Sequence, residues 1–120
     1  MTLGVGVLEA VREVDPLEAR GLVGSGAAVL LDVREDDEWA AGHAPEAVHL
    51  PLSAVDFGDP KLMESQLFVV VCRSGRRSAL VVERLRAAGR AACNLRGGMQ
   101  AWSVAGLPVT CTGGQPGTVI

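Results

Sequence analysis

Tyrosine is absent from the 120 residues, and Phe and Trp occur twice each. A core therefore cannot be built on rings and has to be filled mainly by Val, Leu and Ala. Cysteine is almost as scarce: Cys72, Cys93 and Cys111 are the three, none in CxxC spacing, with only His43 and His49 as additional soft ligands. An odd count without paired spacing argues against a disulfide framework or a zinc site, and no metal or other cofactor is expected. Free thiols persist in a reducing cytoplasm, which is the compartment expected for this chain. Basic excess is also lacking, since 11 Lys and Arg face 14 Asp and Glu for a net charge of −3. That balance argues against nucleic-acid or anionic-membrane binding, while leaving room for a local basic patch. No stretch approaches the roughly 18 apolar residues of a membrane span. The opening MTLGVGVLEAVREV carries no basic leader, and Glu9 and Arg12 interrupt its apolar run, so no signal peptide is expected.

What is present fits one compact domain: 48% hydrophobic and 21% charged residues over a length that can bury a sizeable core. After a short strand over 11–14, Asp15 as N-cap, Pro16 at the first helical position and Glu18 three residues beyond the cap predict a helix ending near Gly24. The apolar run 27–33 reads as a strand covered on both faces, and the acidic start at Glu35 with Gly42 as a stop predicts the next helix. A short strand over 47–52, limited by Pro51, precedes a connector with a small helix after Asp59-Pro60. The run 66–71 is the strongest strand signal. Residues 76–88 combine helix formers with an apolar face that includes Val81, Leu85 and Ala88. A strand over 91–95, a turn and a last helix within 97–106 follow. Residues 1–109 then form one domain, and the Gly-, Pro- and Thr-rich segment 110–120 is expected to be a flexible tail. Strands alternating with helices predict an α/β fold with a small, mostly parallel sheet flanked by helices on both faces. Ligands of such sheets gather beyond the carboxyl ends of the strands.

Cys72 lies at that edge, in VVVCRSGRRSAL. Between a strand ending at Val71 and a helix beginning near Arg76, the segment CRSGR must curl tightly, so successive backbone N–H groups converge and favour an anion. The helix N-terminus and the cations of Arg73, Arg76 and Arg77 add to that field and favour the thiolate, the nucleophilic form. Gly75 allows positive φ and close approach of a bound group, and Ser74 supplies a small side chain with a hydroxyl. Each of the three arginines reads equally as a substrate contact or a solvated charge; their backbone N–H groups are the firmer expectation. The alternative reading of Cys72, a small hydrophobe finishing a buried strand, suits an arbitrary cysteine better than one followed by a Gly-containing, Arg-rich turn.

Three stretches, VLLDVREDDEWAAGHAPEAVHLPL, VVVCRSGRRSA and NLRGGMQAWSVAGLPV, resemble in order and separation the rhodanese family of sulfurtransferases, over roughly residues 10–109. Departures are Glu46 where glycine is common after GH-x-P, Ala44 for a larger aliphatic residue, and His49 for a common asparagine. The resemblance implies that Cys72 takes a sulfane sulfur from a small anionic donor such as thiosulfate, holds it as a persulfide, and passes it to cyanide or a thiol, including a protein thiol. Residues Arg73, Ser74, Gly75, Arg76 and Arg77 would bind the substrate. Related folds include cysteine phosphatases and arsenate reductases. Their phosphatase signature is C-x5-R, whereas Cys72 and Arg77 are spaced C-x4-R and position 78 is Ser78. A noncatalytic partner-binding module is a third reading, against which the intact cysteine argues.

Asp32, ending its strand at the same edge, reads either as orienting a loop arginine or N–H from behind the site or as capping the next turn. Arg34 and Glu38 read as members of a structural ion-pair network, and His43 as a structural hydrogen-bonding residue. Met99 and Trp102, three apart on the last helix, read as core, as does Trp39. Cys93 reads as a buried hydrophobe. Cys111 in a flexible tail has one possible chemical role, as a resolving thiol for Cys72.

Overall fold

In a computed structural model, the described residues are 12–57, 62 and 66–120. Their five strands, β1 (Glu13–Val14), β2 (Ala28–Asp32), β3 (Val48–His49), β4 (Leu67–Val71) and β5 (Ala91–Leu95), form one sheet in the order β1-β5-β4-β2-β3. Every pairing is parallel. The helices are α1 (Pro16–Gly24), α2 (Asp36–Ala41), α3 (Arg76–Ala87) and α4 (Gly98–Val104).

Local chemistry explains most of the boundaries. Asp15 caps α1: its carboxylate accepts from the Glu18 N–H at 2.8 Å, while Glu18 Oε1 accepts from the Asp15 N–H at 3.2 Å. The strand expected over 47–52 is shorter than its apolar run, because Pro51 has no N–H to donate. The chain instead leans on the end of β2 through Leu50 N–H to the Asp32 carbonyl and Leu52 N–H to the Val33 carbonyl, then turns into a 3-10 segment at Leu52–Ala54. The outer part of the predicted first strand at residue 11 and the small helix after Asp59-Pro60 lie outside the described residues.

Alternation along the buried strands makes two cores. Leu30 of β2, Val69 and Val71 of β4, and Cys93 and Leu95 of β5 pack on one face with Ala19, Met99 and Trp102. Leu31, Phe68, Val70 and Ala92 pack on the other with Val81, Val82 and Leu85 of α3. Helices thus cover both faces, and aliphatic packing supplies the core as the ring-poor composition requires. Met99 and Trp102 are fully buried, and the indole Nε1–H donates to the Pro108 carbonyl at 2.8 Å. Trp39, expected in the core, is half-buried and stacks on His43 and His49 with ring centroids 3.6 and 4.6 Å apart. Among the described residues no helix is long and apolar enough to cross a membrane.

The segment 110–120, expected to be flexible, makes backbone hydrogen bonds to the domain. Thr110 bridges antiparallel to His43 with 2.8 Å bonds in both directions, and the Thr118 N–H donates to the Ala41 carbonyl at 2.9 Å. Close approach permits this: a Cβ at Gly42 would lie 2.5 Å from the Thr118 carbonyl oxygen, and one at Gly117 would lie 2.8 Å from the Gly42 Cα. Loss of periodicity in the sequence thus coincides here with irregular backbone that carries its own hydrogen bonds.

Candidate active site

Cys72 is the first residue past β4 and, by the two-residue period of the strand, falls on the α3 face with Val70 and Phe68. The chain then curls through Arg73, Ser74 and Gly75 into α3. Gly75 is the N-cap with φ 106°, a left-handed conformation that a side chain at this position would strain. This conformation aims the Gly75 N–H at Cys72 Sγ, 3.0 Å away. The Ser78 hydroxyl lies 3.2 Å from the same sulfur.

The residue Cys72 is 1% exposed, so the sulfur sits at the floor of the loop, beneath exposed Arg73, Ser74 and Arg76. Burial, the largest single influence, pushes the Cys72 thiol up. The Ser78 hydroxyl and the N–H groups of Ser78, Gly75 and Ser74 together outweigh it, and the thiol lies below its ordinary value. A buried sulfur with several donors facing it is placed to hold negative charge, whereas a buried sulfur without them is a hydrophobe. Cys93 illustrates the second case, its thiol pushed by burial up to about 11.

The loop is braced from two sides. Gly98, φ 62°, opens α4 so close to it that a Cβ would lie 2.4 Å from the carbonyl oxygens of both Cys72 and Arg73. This contact lets Met99 N–H donate to the Cys72 carbonyl at 2.8 Å and Gln100 N–H to the Arg73 carbonyl at 3.0 Å. Two otherwise unpaired amides of the first turn of α4 are thereby satisfied. On the other side Arg77 makes two parallel bonds, of 2.6 and 2.8 Å, to the carboxylate of Glu38 in α2. Hydrogen bonding to Arg77 is the main reason the Glu38 carboxyl drops to about 2, and Glu38 in turn raises Arg77 above its ordinary value.

The residues singled out from the sequence therefore divide. Cys72, Ser74 and Gly75 are together in the loop, and Ser74 contributes its N–H to the sulfur. Arg73 and Arg76 are exposed on the rim with no ion pair among the described residues. Arg77, expected to bind substrate, points its guanidinium at Glu38, because a bidentate carboxylate partner lies within reach. Asp32 does not orient a cysteine-loop arginine. Its buried carboxylate accepts from the Arg34 backbone N–H at 3.0 Å and from Arg34 Nε and Nη2 at 3.0 and 2.8 Å, the turn-capping alternative. His43 Nδ1 donates to the Trp39 carbonyl at 2.7 Å and so is tied to helix α2. Cys111 lies in a turn closed by its own N–H to the Gln115 carbonyl, with its thiol 3.7 Å from the Pro116 carbonyl oxygen.

Ser78, Asn94 and Gly98 were missed from the sequence. Asn94 had a readable signal: along β5 it alternates with Ala92 on the α3 face, a polar residue in an apolar pattern. Its Nδ2 donates to the Gly75 carbonyl at 2.9 Å and its Oδ1 lies 2.6 Å from Ser78 Oγ.

The family model described as "Rhodanese-like domain" matches residues 15–105, which include every part of this arrangement. The chain belongs to the rhodanese-like family. A curated relative named "Sulfurtransferase" from Allochromatium vinosum is 34% identical over 87 residues, 72% of this chain and 81% of that protein. The "Uncharacterized protein slr1261" of Synechocystis is 37% identical over 91 residues, 75% of this chain, and the rhodanese-like match spans about half (51%) of that relative. Among solved structures, the "Rhodanese-like Domain Protein from Staphylococcus aureus" superimposes with a TM-score of 0.70 at 33% identity, covering 77% of this chain and 91% of that one. The rhodanese-like fold thus accounts for the sheet order and for the cysteine loop at its carboxyl edge.

Proposed function

We propose that this rhodanese-like chain is a sulfurtransferase that moves a sulfane sulfur through a persulfide on Cys72. The observation that carries the reading is the convergence of the Gly75 N–H, at 3.0 Å, and the Ser78 hydroxyl, at 3.2 Å, on one buried sulfur. The name of the Allochromatium relative supports the reaction class.

In the first half-reaction the Cys72 thiolate attacks the outer sulfur of a donor such as thiosulfate. The new S–S bond forms as the old one breaks, and sulfite leaves with the bonding electron pair. The outer sulfur of the resulting persulfide carries the negative charge that the thiolate brought, so charge balances without a proton transfer. Because Cys72 is 1% exposed, the donor's terminal sulfur has to enter the ring of loop amides, where preorganised N–H groups stabilise the anion. Exposed Arg73 and Arg76 draw an anionic donor to the mouth. A thiolate or cyanide then attacks the outer sulfur, carrying it away and returning Cys72 as thiolate. Arg73, Ser74, Gly75 and Arg76 act in binding, chiefly through backbone N–H groups, while Arg77 braces the loop through Glu38.

Phosphate chemistry on the same fold is disfavoured because the position six after the cysteine is a buried serine directed at the sulfur, where a phosphatase loop has its arginine. The test is to mix reduced protein with thiosulfate and measure the intact mass. One added sulfur, absent from Cys72→Ser, is the expected result. Turnover of an aryl phosphate without sulfur uptake would overturn the reading.

A further inference from the structure

Ser78 has one hydroxyl hydrogen and two acceptors beside it. Asn94 Nδ2 faces the Gly75 carbonyl at 2.9 Å, and a carbonyl only accepts, so the amide group is fixed with its oxygen toward Ser78. That oxygen is 2.6 Å from Ser78 Oγ, while Cys72 Sγ is 3.2 Å from it. Asn94 is 5% exposed and Ser78 and Cys72 are 0% and 1% exposed, so water does not readily replace a missing donor.

When Cys72 is a thiol, both bonds are made: S–H donates to Ser78 Oγ, and the hydroxyl donates to Asn94 Oδ1. When Cys72 is a thiolate, the sulfur becomes an acceptor and competes with Asn94 for the single hydrogen. Whichever acceptor loses is left underserved in a buried site. The chain S–H, hydroxyl, amide is therefore complete in the protonated state and one hydrogen short in the ionised state.

We propose that Asn94 is a positioning residue that holds the acidity of Cys72 in check through Ser78. Asn94 touches neither the sulfur nor the donor; it acts by claiming the hydrogen that Ser78 would otherwise give to the thiolate. The same competition distinguishes the states of the site. Once the outer sulfur of a persulfide carries the charge, Cys72 Sγ is a weak acceptor and the hydroxyl hydrogen returns to Asn94. The inference concerns the acidity of the thiol and stands whether or not sulfur is transferred.

The test measures iodoacetamide alkylation of Cys72 against pH, read peptide by peptide by mass spectrometry so that Cys93 and Cys111 stay in place. Asn94→Leu removes the competing acceptor and is expected to lower the midpoint by about half a unit to one unit, roughly three- to tenfold more thiolate at a pH below it. Asn94→Asp supplies a stronger acceptor and is expected to raise the midpoint. Both variants also lose the Nδ2–H bond to the Gly75 carbonyl, so both are repeated with Ser78→Ala, which retains that loss. The relay is the difference between backgrounds, Asn94→Leu shifting the midpoint further down, and Asn94→Asp further up, when the Ser78 hydroxyl is present than when it is absent. Differences between backgrounds that have the same sign in the two variants, or shifts equal with and without the Ser78 hydroxyl, would overturn the proposal. If Asn94→Leu does not fold, the near-isosteric Asn94→Asp pair decides alone: an equal shift with and without Ser78 refutes the relay. Sulfur uptake from thiosulfate, measured separately, bears only on the transfer reaction.

Discussion

Replacing Glu38 with Gln removes the charge but keeps the shape of the carboxylate that clamps Arg77. The Glu38 carboxyl is lowered from 4.5 to about 2, and its pairing is the hydrogen bonding at 2.6 and 2.8 Å. At about 1.36 kcal/mol per unit the drop corresponds to roughly 3 kcal/mol. The Arg77 side chain is 34% exposed, however, and water screens such a pair, so about 1–2 kcal/mol of folding stability is the working figure. A carboxylate whose folded value is depressed stabilises the protein fully above its unfolded value, and the contribution disappears as pH falls through the folded value. Urea unfolding should thus show the wild type more stable than Glu38→Gln at pH 7, with the gap closing between about pH 4.5 and 2. The midpoint would move while the slope stays the same. A gap that is absent at pH 7, or one that persists unchanged near pH 2, would refute the electrostatic account. The second outcome would mean that packing, not charge, joins α2 to α3.

Two further outcomes follow from the geometry. Alkylation of Cys72 should rise with pH around a midpoint below the ordinary thiol value, and Ser78→Ala should raise that midpoint by about one unit, because a hydrogen bond to an anion is worth about 1.5–3 kcal/mol and here its hydrogen is shared. An unmoved midpoint would assign the acidity to the backbone alone. Gly42→Ala places a Cβ 2.5 Å from the Thr118 carbonyl oxygen and should loosen the segment 109–119, seen as faster proteolytic cleavage there with sulfur uptake unchanged. Cleavage no faster than in the wild type would show that the strap yields without detaching.

The layer order and the cysteine loop were legible because each rests on local pattern. Apolar runs bounded by Asp15-Pro16, Gly24 and Gly42 mark elements, and Cys72 follows the most apolar of them. The roles of the charged residues were not legible. Whether Arg77 faces a ligand or Glu38 depends on where α2 lies against α3, a contact across 39 positions of sequence. Asp32 similarly has two arginine-bearing loops near its strand end, and only the folded path of Arg34, buried and also bound to the Gly42 carbonyl at 2.7 Å, selects between them. At the tail composition did not reveal the close approach of Gly117 to Gly42, since glycine signals freedom in isolation and close contact when another backbone is beside it.

The tight seating of Gly98 on the two carbonyls behind the sulfur makes the cysteine-loop hexapeptide and the start of the final helix a single inseparable part. Transplanting residues 72–77 alone onto another scaffold would leave those oxygens without donors and give the turn nothing to rest on. A graft that keeps its shape has to bring the diglycine and the two amides after it, although they lie more than twenty positions downstream.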